Sequence, residues 1–240
     1  VFAIMAFAGG LFGLRQARWT EVSAGYAYAA GAVGVSFAGD LITMFMFWEF
    51  MAIFSTVVVW CGGTDAARRA GVRYALMHLV GGVVLKIGIE GIMVHTGSID
   101  IRPLDLDSVD AWIVLAGVLV NAAAPPLSAW LSDAYPEASP FGSVFLSAFT
   151  TKTAVLALIL LFPGAEILVW IGLYMIFYGI IYALLENDMR RILAYSIVNQ
   201  VGFMVCGVGI GTEMAINGAA AHAFAHIIYK ALLLMSAGAV

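Results

Sequence analysis

Residues 140–161 read PFGSVFLSAFTTKTAVLALILL, twenty-two positions with one charge, Lys152, near the middle. A helix needs about 20 apolar residues to cross a hydrocarbon core of about 30 Å, so this stretch reads as a membrane span with a cation at its centre. Outward from it the pattern repeats, and the sequence predicts spans at 1–14, 22–39, 40–61, 73–96, 110–131, 140–161, 166–186, 190–210 and 214–238. Composition agrees. Of 240 residues 63% are hydrophobic and 11% charged, against about 25% charged in soluble domains, which leaves too little polar surface to cover a globule in water. The spans should be helices, because a backbone in lipid must satisfy its own hydrogen bonds and these runs are too long and too evenly apolar for barrel strands. The expected fold is an all-α integral membrane protein, a polytopic helix bundle met as an excerpt of about nine transmembrane helices.

Arginine placement gives an orientation, since short basic loops stay in the cytoplasm. Arg15 and Arg18, then Arg68, Arg69 and Arg73, then Arg190 and Arg191 fall in the first, third and seventh connections. The fourth and eighth, with Asp100, Asp105, Asp107 and Glu213, are acidic apart from Arg102. Odd connections therefore face the cytoplasm and Val1 starts outside. The fifth, carrying Asp133 and Glu137, breaks the pattern. A net charge of -4 and no basic run longer than Arg68-Arg69 argue against a nucleic-acid partner. Cys61 and Cys206 have no pairing or metal-ligand spacing and read as packing residues.

All eight arginines lie in loops or at helix ends, whereas all three lysines, Lys86, Lys152 and Lys230, fall inside spans, as does Glu49. An ionisable group at the bilayer centre costs about 2.5–3.5 kcal/mol on insertion scales and by default marks an ion or proton path. Lysine suits that task because burial readily makes it give up its proton, which an arginine does not do. His222, His226 and Lys230 follow at i, i+4 and i+8, which predicts one helical face on which imidazoles relay protons to the lysine; two structural histidines bonded to neighbouring helices are the plainer alternative. His78 and Lys86 repeat the eight-residue spacing, with Gly82 between them and Glu90 beyond. The two His-x7-Lys segments cross in opposite directions, which suggests inverted five-helix repeats: 1–21 as the end of a preceding helix with its basic loop, 22–161 as the first repeat, and 162–240 as the first three helices of the second. Asn121, Pro125 and Pro126 predict an interrupted fifth helix. Ser128, Ser132, Thr150, Thr151 and Thr153 either hold water or bond back to helix carbonyls, and Gly207-x3-Gly211 reads as helix packing.

Five stretches carry a family resemblance: FWEFMAIFS (47–55), PPLSAWLSDAYPEASP (125–140), FLSAFTTKTAV (145–155), NDMRRILAYSIVNQVGFM (187–204) and AHAFAHIIYKALLLMSAGAV (221–240). In this order they resemble a membrane subunit of the Mrp-type monovalent cation/proton antiporters, related to the antiporter-like subunits of respiratory complex I and of membrane-bound hydrogenases. The resemblance implies about fourteen helices with two inverted repeats, of which this chain would hold the third to eleventh. It also implies a midplane proton path through the positions of Lys152, His222, His226 and Lys230, with Glu49 modulating a buried lysine. Three departures stand out: Asn121 where most members have a lysine, Ser128 and Ser132 for a histidine and a proline, and Arg191 for a lysine. Lys86 is the expected replacement for the lysine missing at 121, coupled to Glu49.

The expected function is that of a proton-translocating subunit of a multi-subunit sodium/proton antiporter, with Glu49, Lys86, Lys152, Lys230, His222 and His226 as the path and His78, Asn121, Ser128 and Thr151 in support. A redox-driven proton pump without a redox site of its own, or a non-conducting structural subunit, are the alternatives. The sequence carries no glycine-rich phosphate loop, no iron-sulfur cysteine set and no haem-binding CxxCH, so no cofactor is expected. A metal at His222 and His226 lacks a third ligand and would be repelled by Lys230. The expected partners are other membrane subunits, protons, sodium and lipid, in the cytoplasmic membrane of a bacterium or archaeon.

Overall fold

The computed structural model describes residues 1–239, which form eleven helices and no strand: α1 Phe2–Gly13, α2 Trp19–Phe37, α3 Leu41–Trp60, α4 Asp65–Thr96, α5 Val109–Asn121, α6 Ala129–Glu137, α7 Pro140–Ala148, α8 Thr150–Leu161, α9 Ile167–Leu185, α10 Met189–Ile210 and α11 Glu213–Gly238. Two of the nine expected spans are divided. The fifth splits into α5 and α6 around Pro125 and Pro126, which offer no amide to continue a helix. The sixth splits into α7 and α8 at Phe149, whose φ of -106° and ψ of -67° depart from helical values. The nine-helix expectation is thus corrected to eleven, or ten if α7 and α8 count as one broken span. By length and hydropathy α3, α4, the α7–α8 span, α9, α10 and α11 are each able to cross a membrane.

Side-chain caps set where the helices begin. Asp40, Thr64, Ser108, Ser139, Asp188 and Thr212 each accept a hydrogen bond from the amide three residues on, which satisfies one of the donors a helix start leaves free. The hydroxyl and amide of Thr43 both donate to Asp40 and hold its carboxyl below the usual carboxylate range.

The connections separate to opposite ends, as the arginines predict. At one end Arg73 grips Asp133 through two nitrogens, at 2.6 and 2.8 Å, and Arg191 lies 3.8 Å from Glu137. Arg190 donates to the Ala138 carbonyl at 2.8 Å and to Ser143 at 2.6 Å, and the Ser139 hydroxyl donates to Glu21. The acidic fifth connection is therefore no exception to the sidedness: its carboxylates are the counter-ions of the third and seventh. At the other end His95 of α4 lies 2.6 Å through Nδ1 from the Asp110 carboxylate of α5, and short backbone bonds join the connections, from Leu41 to Ile99 (2.8 Å), Leu104 to Leu161 (2.7 Å) and Gly164 to Val208 (2.9 Å).

The α9–α10 pair packs backbone to backbone, and it depends on glycines seven apart on each helix. A Cβ on Gly172 would stand 2.5 Å from the Cys206 amide nitrogen, one on Gly202 2.8 Å from the Gly172 carbonyl oxygen, and one on Gly209 2.6 Å from the Val169 nitrogen. Without a hydrophobic force between helices in lipid, such close backbone approach is what holds a pair together. The expected Gly207-x3-Gly211 pair is not this seam. Gly207 faces Ala215 and Ala219 of α11, and Gly211 ends α10 with a φ of +71°, a left-handed cap that favours glycine. Gly202→Ala is expected to cost about 1–3 kcal/mol by forcing the α9 and α10 backbones apart. Gly218→Ala, which meets nothing within 4 Å, should be neutral or stabilising; thermal unfolding of the purified membrane complex compares the two.

Candidate functional site

Lys152 lies in the wall of a broken helix and is 2% exposed. In an unbroken helix the Ser147 carbonyl would accept from the amide of Thr151. The break at Phe149 releases it, and the Lys152 ammonium donates to it at 2.7 Å and to the Thr151 hydroxyl at 3.1 Å. The Thr150 amide also lies at the break, and it donates to the Tyr28 hydroxyl of α2 at 2.9 Å; the hydroxyls of Tyr28 and Thr150 are 2.6 Å apart. Thr153 only bonds back to the Phe149 carbonyl. A cavity of about 490 Å³ between α1, α2, α8 and α11 reaches Lys152.

On α11 the expected face forms. Lys230 is 1% exposed and donates to Ser196 of α10 at 2.9 Å. A turn before it His226 is fully buried, and neither ring nitrogen has a partner. His222, half-buried, lies 2.8 Å through Nε2 from the Gln200 side-chain oxygen, which also accepts from Tyr229 at 3.1 Å. The Gln200 amide group donates to Asn199, and Asn199 donates to the Ile176 carbonyl of α9. The two imidazole ring centres are 6.2 Å apart. Among the described residues no carboxylate pairs with either lysine, and no third metal-ligating side chain joins the histidines.

The first half of the chain holds a second polar group and one correction. Glu49 on α3 and His78 on α4 line a cavity of about 310 Å³, and each has a buried atom without a partner, Oε1 and Nε2. Gly82 makes room for the Glu49 carboxylate, which a Cβ there would strike. Lys86 does not join them. It pairs with Glu90 at 2.9 Å on the outer face of α4, where both side chains are more than half exposed, among the exposed Val83, Ile87 and Val94. Eight residues at 3.6 per turn leave a rotation of about 80°, enough to carry Lys86 outside while His78 stays in. The shared His-x7-Lys spacing therefore does not place equivalent groups, and it gives the repeat no support. Asn121, the last residue of α5, and Ser128, just before α6, are 1% exposed and unpartnered. Ser132 bonds back to Ala129 and lines a cavity of about 590 Å³ at the arginine-rich end, together with Arg73, Trp130 and Asp133.

Residues 38–240 match the family model described as "NADH:quinone oxidoreductase/Mrp antiporter, TM". The chain belongs to this family. It is 32% identical over 230 residues to a Na(+)/H(+) antiporter subunit of Alkalihalophilus pseudofirmus, covering 88% of this chain and 46% of the relative. It is 29% identical over 236 residues to an NADH-quinone oxidoreductase subunit of Pseudomonas aeruginosa, covering 87% of this chain and 46% of that relative. Its fold superposes on a chain of the Mrp complex from a Dietzia species with a TM-score of 0.90 and 25% identity, over 99% of this chain and 49% of the other. The chain spans about half the length of these relatives. It is an integral membrane protein of the antiporter-like kind, and the solved structures it resembles are multi-subunit membrane complexes.

For this family member the structure adds groups that the sequence reading left out: Tyr28, Ser147, Ser196, Asn199 and Gln200. Ser196, Asn199 and Gln200 sit at i, i+3 and i+4 in a spanning helix, a polar stripe that was available as a signal. Tyr28 and the Ser147 carbonyl gave none, because the helix break that recruits them falls at a phenylalanine. Tyr28→Phe removes the partner of the Thr150 amide, and the loss should be about 1–3 kcal/mol. The expected result is a lower melting temperature for the assembled complex, with Tyr26→Phe, whose hydroxyl makes no hydrogen bond to the described residues, as the control.

Proposed function

We propose that this chain is a proton-translocating subunit of a multi-subunit sodium/proton antiporter in the cytoplasmic membrane of a bacterium or archaeon. The observation that carries the reading is the pair of deeply buried lysines whose partners are all neutral: a carbonyl and a threonine hydroxyl for Lys152, a serine hydroxyl for Lys230. A structural lysine in a dry interior is expected to hold a carboxylate, since an uncompensated buried charge is costly. Carbonyl and hydroxyl oxygens accept from a neutral amine as well as from an ammonium. A proton can therefore arrive and leave without dismantling the site. His226 stands one turn before Lys230 on α11, and His222 and Gln200 extend the polar line along α10 and α11. At an effective dielectric near 20, charges a few ångströms apart interact by a few kcal/mol, so loading one lysine biases the other.

The cavities support access from two sides. One reaches Lys152 from the α1, α2, α8 and α11 side, and another opens among the arginines and reaches the break between α5 and α6. Partner subunits are part of this reading, as is the division into repeats at 22–161 and 162–240. Gly82 is level with Glu49, near the middle of α3, so Lys86 and Glu90 lie only about 6 and 12 Å further along α4 at 1.5 Å per residue. An ion pair at that depth is costly against lipid, which favours protein over lipid at this part of α4. The relative named as an oxidoreductase subunit keeps a redox-driven pump as the second reading.

Inverted vesicles containing the complete complex separate these. Adding sodium should dissipate a preformed proton gradient in wild type, and Lys152→Met or Lys230→Met should reduce the rate by about 100-fold or more, the scale lost with a proton-transfer group. A wild-type complex that ignores sodium but pumps protons on oxidation of a reductant places the chain in a redox-driven assembly. Full activity in both methionine variants removes the lysines from the path.

A further inference from the structure

Around Trp130, where α4, α5 and α6 meet, the chain buries more polar chemistry than it pairs. The His78 ring is stacked on Tyr74 at 4.0 Å and meets the edge of Trp130 at 4.6 Å, so it is gripped by an aromatic group on each side. Its Nδ1 lies 2.9 Å from the Tyr74 carbonyl oxygen. A carbonyl only accepts, so Nδ1 carries the hydrogen and Nε2 of the neutral ring presents a lone pair. That nitrogen is buried and has no partner.

Other buried groups without partners lie on the neighbouring elements. Toward α3, Glu49 and His78 line a groove of about 310 Å³ that opens outward past the exposed Ile53, Leu76 and Leu79, with room for several waters at about 30 Å³ each. Toward α5, Trp130 donates to the Val120 carbonyl at 3.0 Å, which ties the ring to the turn that carries Asn121. Both side-chain atoms of Asn121 and the hydroxyl of Ser128 are buried without partners. Buried polar atoms without a protein partner are the usual contacts of bound water.

We propose that His78 is the proton-exchanging partner of Glu49, joined to it by water in the α3–α4 cavity and to the α5–α6 break by water held at Asn121 and Ser128. The proposal deepens the proton-translocation reading and rests on it. In the exchange the O–H bond of the Glu49 carboxyl breaks and an N–H bond forms at Nε2, with a water molecule passing one proton on as it receives another. The imidazolium then returns the proton to water at the break, and no electrons are transferred. Glu49 faces this cavity and Lys86 faces outward with Glu90, so the histidine fills the role that the sequence suggested for Lys86. Asn121 cannot titrate, and Tyr74 and Tyr135, which pack on Trp130, are phenols too weakly acidic to exchange a proton near neutrality, which leaves His78 as the base facing Glu49.

The test uses the complete complex in inverted vesicles, with assembly checked for each variant. His78→Gln keeps a donor for the Tyr74 carbonyl but binds no proton, and sodium-driven proton release should fall by about 100-fold. Asn121→Lys introduced into His78→Gln puts a titratable amine on the far side of Trp130 and should restore a measurable part of the rate, which a purely structural role for His78 does not predict. Loss without rescue in a normally assembled complex overturns the proposal. Full activity of His78→Gln beside an inactive Lys230→Met also overturns it, while leaving the proton path on α11 standing. Activity in both variants defeats the underlying proton-translocation reading instead. If His78→Gln does not assemble, His78→Asn is scored by the same outcomes.

Discussion

A peptide group released inside a bilayer has no water to turn to, and most of what is distinctive in this molecule follows from two places where the helical ladder is opened anyway. At Phe149 the freed Ser147 carbonyl finds the ammonium of Lys152, and the freed Thr150 amide finds the hydroxyl of Tyr28. The break and the buried lysine thus support each other: the carbonyl gives the ammonium a home, and the ammonium gives the carbonyl a donor. Between α5 and α6 the arrangement is looser, since Asn121 and Ser128 keep their side-chain atoms free. One opening is satisfied by protein, while the other leaves polar atoms available to solvent molecules.

The two halves of the polar interior also differ in their charges. Around α8, α10 and α11 the buried lysines and His222 have neutral partners. Around α3 and α4 an acid and an imidazole share a cavity. Fixed hydroxyls, amides and carbonyls hold both sets in place, and such dipoles tolerate a change of protonation state where a salt bridge does not. The ion pairs are elsewhere, at the arginine-rich end and on the outer face of α4, with a His95–Asp110 pair at the opposite end.

The sequence exposed the parts of this design that have a period or a cost. Run length and composition revealed the spans, arginine placement sorted the connections between the two ends, and Pro125-Pro126 marked one interruption. The i, i+4 series on α11 correctly placed His222, His226 and Lys230 on an inward face. What misled was a spacing treated as a face: eight residues in α4 turn Lys86 away from the interior that His78 occupies. The break at Phe149 was illegible because no proline or glycine announces it, and it arises from tertiary bonds to Tyr28. Of the Gly207-x3-Gly211 pair only Gly207 packs on a neighbouring helix, α11, and the α9–α10 seam, whose glycines are seven apart, went unread because it has no four-residue spacing to mark it.

That seam constrains how the molecule can move. With backbones locked at glycine contacts along their length, α9 and α10 form a stiff two-helix plank with little freedom to slide internally. Ser196 and Gln200 ride on it, and they are the partners of Lys230 and His222 on α11. Any travel of the plank along α11 therefore shifts both partners at once and by the same amount. The lysine and the histidine are geared to a single mechanical coordinate.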